Sequence, residues 1–77
     1  MVVYSNTDFG LNLMYWRKKA KLTQDQLAEK TGIDKNSIAR YEIGTTCPGL
    51  DKAFTLAAAL DCSIDQLARP NTAGDAV

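Results

Sequence analysis

Lys35, Asn36 and Arg40 place an ammonium, an amide and a guanidinium within six consecutive residues. Each type suits the edge of a nucleic-acid base. An arginine fork can give two hydrogen bonds to guanine O6 and N7, an asparagine amide can pair with adenine N6 and N7, and a lysine can reach guanine or a phosphate. A helix through this stretch carries Lys35, Asn36, Ala39, Arg40 and Ile43 opposite Ile38 and Tyr41, which lie three apart and face inward. Solvated helix faces carry the same residue types, so this chemistry acquires meaning only from the elements that position it.

Other chemistries find little material. No histidine occurs, and Cys47 and Cys62 are the only cysteines. Two sulfurs are too few for a four-ligand zinc site or a disulfide framework, so both read as reduced thiols, Cys62 as a small core residue and Cys47 in a loop. With no histidine, no paired cavity carboxylates and no phosphate loop, nothing assembles a catalytic site; an enzyme is not expected, nor a cofactor, metal or small-molecule ligand. No apolar run approaches the length of a membrane span. The opening MVVYSNTDF lacks the basic flank and apolar region of a signal peptide, so the expected location is cytoplasmic.

The formal net charge is zero, but the charge is polarised. Residues 1–40 carry seven Lys/Arg against four acids, a balance of +3, and residues 41–77 carry two against five, a balance of −3. A positive half suits a polyanion, while the small number of cations limits non-specific affinity. Seventy-seven residues with 45% apolar and 23% charged content make one globular domain. A chain of this size buries only about 60% of its unfolded surface, so its stability margin is thin.

Five helices follow from the periodicity. Apolar residues at 9, 13, 16 and 20 form a helical stripe from Asp8 or Phe9 to about Lys21, closed by the cations Arg17, Lys18, Lys19 and Lys21 at the negative end of the helix dipole. Thr23-x-x-Gln26 is a capping box, with Leu22 and Leu27 as its hydrophobic staple. Gly32 ends that second helix through a positive φ, and Ala28 is small enough to let another helix cross closely. Asp34 caps the third helix between Ile33 and Ile38, and Gly44 ends it. After a loop at 45–48, Gly49 caps a fourth helix whose Leu50, Ala53, Phe54, Ala57 and Leu60 form the inward stripe, widened by Leu56 and Ala58. Ser63-x-x-Gln66 opens a short fifth helix with Ile64, Leu67 and Ala68, stopped by Pro70. The reading is an all-α bundle with a core at residues 9–69, a flexible arm at 1–7 and a tail at 70–77.

The second and third helices, joined by a short turn containing Gly32, make a helix-turn-helix. Gln24, Ala28, Gly32, Ile38 and Tyr41 stand at the spacing of that motif. In register with them are FGLNLMYWR at 9–17, LTQDQLAEKTGI at 22–33, SIARYEIG at 37–44 and PGLDKAFTLAAALDCSIDQLA at 48–68. Together these segments resemble the phage repressor and Cro-type helix-turn-helix family, across residues 9–68. The resemblance implies a five-helix lambda-repressor-like DNA-binding domain. It implies that Lys35, Asn36 and Arg40 read bases, with Ser37 as a backbone or thymine-methyl contact. Gln24, Thr45 and Thr46 match positions on the phosphate backbone, and Arg17 and Glu42 match an internal ion pair joining the first helix to the end of the third. Two departures stand out. Lys21 occupies a corner where the family often has glycine, and Gly49 replaces the common serine cap.

The function so implied is sequence-specific transcriptional regulation, expected to be repression, by a homodimer on a palindromic operator with the third helix in the major groove of double-stranded DNA. A protein-interaction module, such as an antitoxin neutralising a toxin, is the alternative. Two-fold pairing needs a self-complementary patch. Ile64 and Leu67 of the fifth helix, or the arm at Val2, Val3 and Tyr4, are the candidates; Ile64 and Leu67 equally suit closure of the monomer core.

Overall fold

The computed structural model describes residues 4–71. Within that span the chain forms α1 (Asn6–Lys19), α2 (Gln24–Thr31), α3 (Lys35–Ile43), α4 (Leu50–Ala59) and α5 (Ile64–Ala68). Among the described residues there is no strand, as the periodicity predicts.

Local chemistry sets most boundaries. Thr23 and Ser63 form complete capping boxes with Gln26 and Gln66, and Asp34 accepts the Asn36 N–H. Gly49 opens α4 with no side-chain cap. One boundary differs from expectation: α1 starts at Asn6, because the Ser5 hydroxyl accepts the Asp8 N–H at 3.0 Å and supplies a cap. Residues 5–7 therefore belong to the cap and first turn of α1, not to a free arm. Val2, Val3 and positions 72–77 lie outside the described residues.

Gly32 and Gly44 end α2 and α3 in the left-handed region, at φ 75° and 82°. Helices α1 and α4 end the same way without glycine, through Lys21 (φ 61°) and Asp61 (φ 55°). At both corners the next two N–H groups reach back to orphan helix carbonyls, Lys21 to Lys18 and Leu22 to Arg17, Asp61 to Ala58 and Cys62 to Ala57. These are Schellman closures. The Lys21 corner thus carries the strain its departure from glycine implies, while Asp61 is a second such site that its sequence context did not announce.

The core is one cluster that takes Phe9 and Leu13 from α1, Leu27 from α2, and Ile38 and Tyr41 from α3. Leu56, Ala57 and Leu60 come from α4 and its end, and Leu67 from α5. Ile33, in the turn, seals it between α2 and α3. Helix α4 corrects the expected stripe. Ala53, Leu56, Ala57 and Leu60 are buried, whereas Leu50 is 75% exposed, Phe54 58% exposed, and Ala58 is exposed as well. Both sets have helical spacing, so periodicity could not choose between them; α4 packs mainly on α2 and α5, which cover only one flank.

Helix α5 resolves the alternatives for Ile64 and Leu67. Leu67 has no exposed surface and Ile64 is half-buried against the same cluster, so Leu67 closes the monomer and is not available to a partner. The α5 end is held by a residue that periodicity treats as ordinary. Asn12, buried in α1, donates through Nδ2 to the carbonyls of Leu67 and Arg69, both at 2.8 Å. Asn71 continues the clasp, giving its side-chain amide to Asn12 Oδ1 and its backbone N–H to Asp8. The expected tail at 70–77 is therefore docked at its start.

Helix α1 crosses α3 at Gly10. A Cβ there would lie 2.4 Å from the carbonyl oxygens of both Tyr41 and Glu42. No side chain other than hydrogen fits that crossing, and it sets how α3 is presented.

Candidate nucleic-acid interface

The end of α3 is anchored by a buried charge cluster. Arg17 of α1 donates to Glu42 through Nε at 2.6 Å and through Nη2 at 3.1 Å, and its Nη1 donates to the Leu22 carbonyl at 2.8 Å. The Glu42 side chain is 2% exposed and that of Arg17 12%. A bidentate pair of this kind fixes orientation as well as distance. Gln24, the first residue of α2, adds its Nε2 to Glu42 Oε1 at 3.0 Å. One carboxylate therefore ties α1, α2 and α3 together. Among the described residues no buried side-chain polar atom lacks a partner.

This anchoring leaves the outer face of α3 uncommitted. Lys35, Asn36 and Arg40 are exposed, Ser37 and Ala39 half-buried. Lys35 leans on Asp25 of α2 at 3.3 Å, an exposed pair that holds the lysine only weakly. The Arg40 side chain makes no ion pair among the described residues. Its backbone carbonyl accepts the Thr45 N–H at 3.0 Å, which folds the following loop back over the helix end. Thr45 and Thr46 sit exposed there.

The structure thus gathers Lys35, Asn36, Ser37 and Arg40 on one helix, with Thr45 and Thr46 at its C-terminal end. Gln24 is different. Its amide is partly buried and shared with Glu42, and because an amide nitrogen carries two hydrogens, this contact orients the second donor. The motif spacing marked Gln24 but not its dependence on Glu42, which joins residues eighteen apart in sequence.

Sequence reasoning passed over Gly10, and it placed Tyr4 only in an arm and Ile43 only on the outer side of the third helix. Gly10 sets the α1–α3 approach, and only its small size within an otherwise bulky stripe could have flagged it. Tyr4 places its hydroxyl against the Cys47 thiol, joining the chain start to the loop after α3; burial first, then the Cys47 contact, pushes its phenol pKa upward. Ile43 is 73% exposed at the end of α3. Cys62 sits in the core margin as predicted, its thiol pushed up by burial and then by the Asp61 charge.

Helix α3 thus keeps an exposed polar outer face while its inner face is tied to α1 and the core. The family model described as helix-turn-helix matches residues 13–67. The chain belongs to the helix-turn-helix family. It is 49% identical over 51 residues to YobD of Bacillus subtilis (strain 168), an uncharacterized HTH-type transcriptional regulator, covering 66% of this chain and 46% of that protein. The restriction-modification controller protein C.AhdI from Aeromonas hydrophila has the same fold, with a TM-score of 0.76 and 31% identity over 80% of this chain and 94% of that one. The P22 c2 repressor, solved in complex with a synthetic operator, matches with a TM-score of 0.75 and 32% identity, over 78% of this chain and 91% of that one. The chain spans about half the length of the curated relatives it matches. Among the described residues no helix is long and apolar enough to cross a membrane.

Proposed function

We propose that this chain is a sequence-specific DNA-binding transcriptional regulator, acting as a repressor, that lays α3 in the major groove of a palindromic operator. The observation that carries this reading is the contrast across α3. Its inner face is locked by Arg17, Glu42 and the core, while the donors and acceptors of Asn36 and Arg40 are left to solvent. Lys35, Asn36, Ser37 and Arg40 read bases in this proposal. Gln24, Thr45 and Thr46 hold the phosphate backbone, Gln24 through the amide hydrogen that Glu42 leaves over. The operator complex of the P22 c2 repressor supports the DNA-binding reading by likeness.

Two copies act together. The nine residues of α3 span about 13 Å, which covers only about four base steps. Pairing two copies doubles the sequence read, with half-sites about 34 Å apart. The apolar side chains that α4 leaves outside, Leu50 and Phe54, support such pairing better than the buried Leu67 does.

Selection of bound sequences from random DNA, followed by binding at several salt concentrations, tests this reading. A two-fold motif is expected, and Arg40→Ala should lose about 1–3 kcal/mol and relax discrimination at one base position. Absence of any binding at low salt, or an unchanged motif with Arg40→Ala, refutes the assignment.

A further inference from the structure

We infer that Ile43 is a specificity-determining residue whose side chain packs on the C5 methyl of a thymine, next to the base contacted by Arg40. The inference rests on the reading of α3 as the groove helix and extends it to a residue whose chemistry is not polar.

The position is decided by the helix. Residues advance about 100° each, so Asn36, Arg40 and Ile43 fall within about 60° of one another on α3. The opposite side is occupied by the buried Ile38, Tyr41 and Glu42. Ile43 lies three residues beyond Arg40, a rise of about 4.5 Å, comparable with the 3.4 Å step of one DNA strand. Its branched side chain is 73% exposed, so its inner contacts account for little of its surface. Gly44 then turns the chain at φ 82°, and Ile43 stays exposed beside the equally exposed Thr45 and Thr46.

The chemistry narrows the ligand. On the major-groove edge thymine alone carries a methyl; adenine, guanine and cytosine present hydrogen-bonding groups, and cytosine has only a C5–H where that methyl would stand. An aliphatic side chain pressed on a donor or acceptor would remove its water and return no hydrogen bond, which is unfavourable. Against a methyl the same contact buries apolar surface on both sides. Ile43 therefore selects thymine and disfavours cytosine at that position.

The test uses the full chain and a duplex carrying its selected sequence. Each thymidine of one half-site is replaced in turn by deoxyuridine, which deletes only the methyl, and Kd is measured for the wild type and for Ile43→Ala. At one thymine the wild type is expected to weaken about fourfold, the effect of one buried methyl. Ile43→Ala should bind the two duplexes equally at that position, and its own selected motif should lose the thymine there. Because Ile43 is mostly exposed, Ile43→Ala should melt within a few degrees of the wild type, and Ile43→Val provides a second folded variant with intermediate methyl dependence. A wild type that selects a sequence yet tolerates uracil everywhere refutes the role of Ile43 alone. So does Ile43→Ala if it keeps the full methyl dependence. A wild type that selects no sequence refutes the α3 reading and this inference together.

Discussion

Adding one methyl group at Gly10 should destabilise the domain more than most single substitutions on its surface. The new Cβ would meet the carbonyl oxygens of Tyr41 and Glu42 at 2.4 Å, whereas ordinary contact begins at 3.4 Å. Helix α1 and helix α3 must therefore separate by up to about 1 Å, the difference between those two distances. Both obstructing atoms are backbone, so no rotamer change relieves the clash. Separation also loosens Phe9 and Leu13 against the core and stretches the Arg17–Glu42 pair, whose shortest contact is 2.6 Å. Overpacking typically costs about 1–3 kcal/mol, and with no soft neighbour the upper end applies. For a domain of this size about 3 kcal/mol lowers the melting temperature by roughly 12–24 °C. Circular dichroism melts of the wild type and Gly10→Ala measure the shift. Gly32→Ala serves as the comparison, since its Cβ meets nothing within 4 Å and suffers only from φ 75°. It should cost about 1–2 kcal/mol, the left-handed penalty alone. A Gly10→Ala melt within about 3 °C of the wild type, a shift worth under about 1 kcal/mol, would show that α1 and α3 do not cross at this distance.

Other perturbations separate the remaining contributions. Lys21→Gly should stabilise by about 0.5–1 kcal/mol, because it removes the penalty at φ 61° and gives back part of it as unfolded-state freedom; an unchanged urea midpoint would argue against a left-handed Lys21. Asn12→Ala leaves the Leu67 and Arg69 carbonyls without their buried donor and should cost about 1–3 kcal/mol, with amide exchange rising first around α5. Glu42→Ala strands the Arg17 guanidinium and should cost about 3–5 kcal/mol, more than the double variant Arg17→Met/Glu42→Leu, in which no charge is left alone. Equal losses in the two variants would mean that packing, not the unpaired charge, sets the effect.

Much of the molecule is written locally. Thr23, Gln26, Ser63 and Gln66 satisfy the free N–H groups of their own helices, and Gly32 and Gly44 close helix ends by backbone geometry. Such interactions span a few residues, so the sequence alone determined the five helices of the described residues and where most of them begin and end. The same holds for the outward placement of Lys35, Asn36 and Arg40, which follows from the inward placement of Ile38 and Tyr41 on one short helix. Ser5 shows the limit: a serine cap is also an ordinary loop residue until an N–H is found on it.

What only the tertiary structure decided are choices between faces of equal periodicity and contacts between distant residues. Leu50 and Phe54 have the same helical spacing as Ala53 and Ala57, and only the position of α2 and α5 determines which pair is buried. Leu67 fits a core or a partner equally well until α1 is seen to close over it. The clasp from Asn12 spans fifty-five residues, and Gly10 meets carbonyls more than thirty residues away. A local pattern carries no information about such partners, because burial and hydrogen bonding between elements depend on how helices are stacked, not on how each one is made.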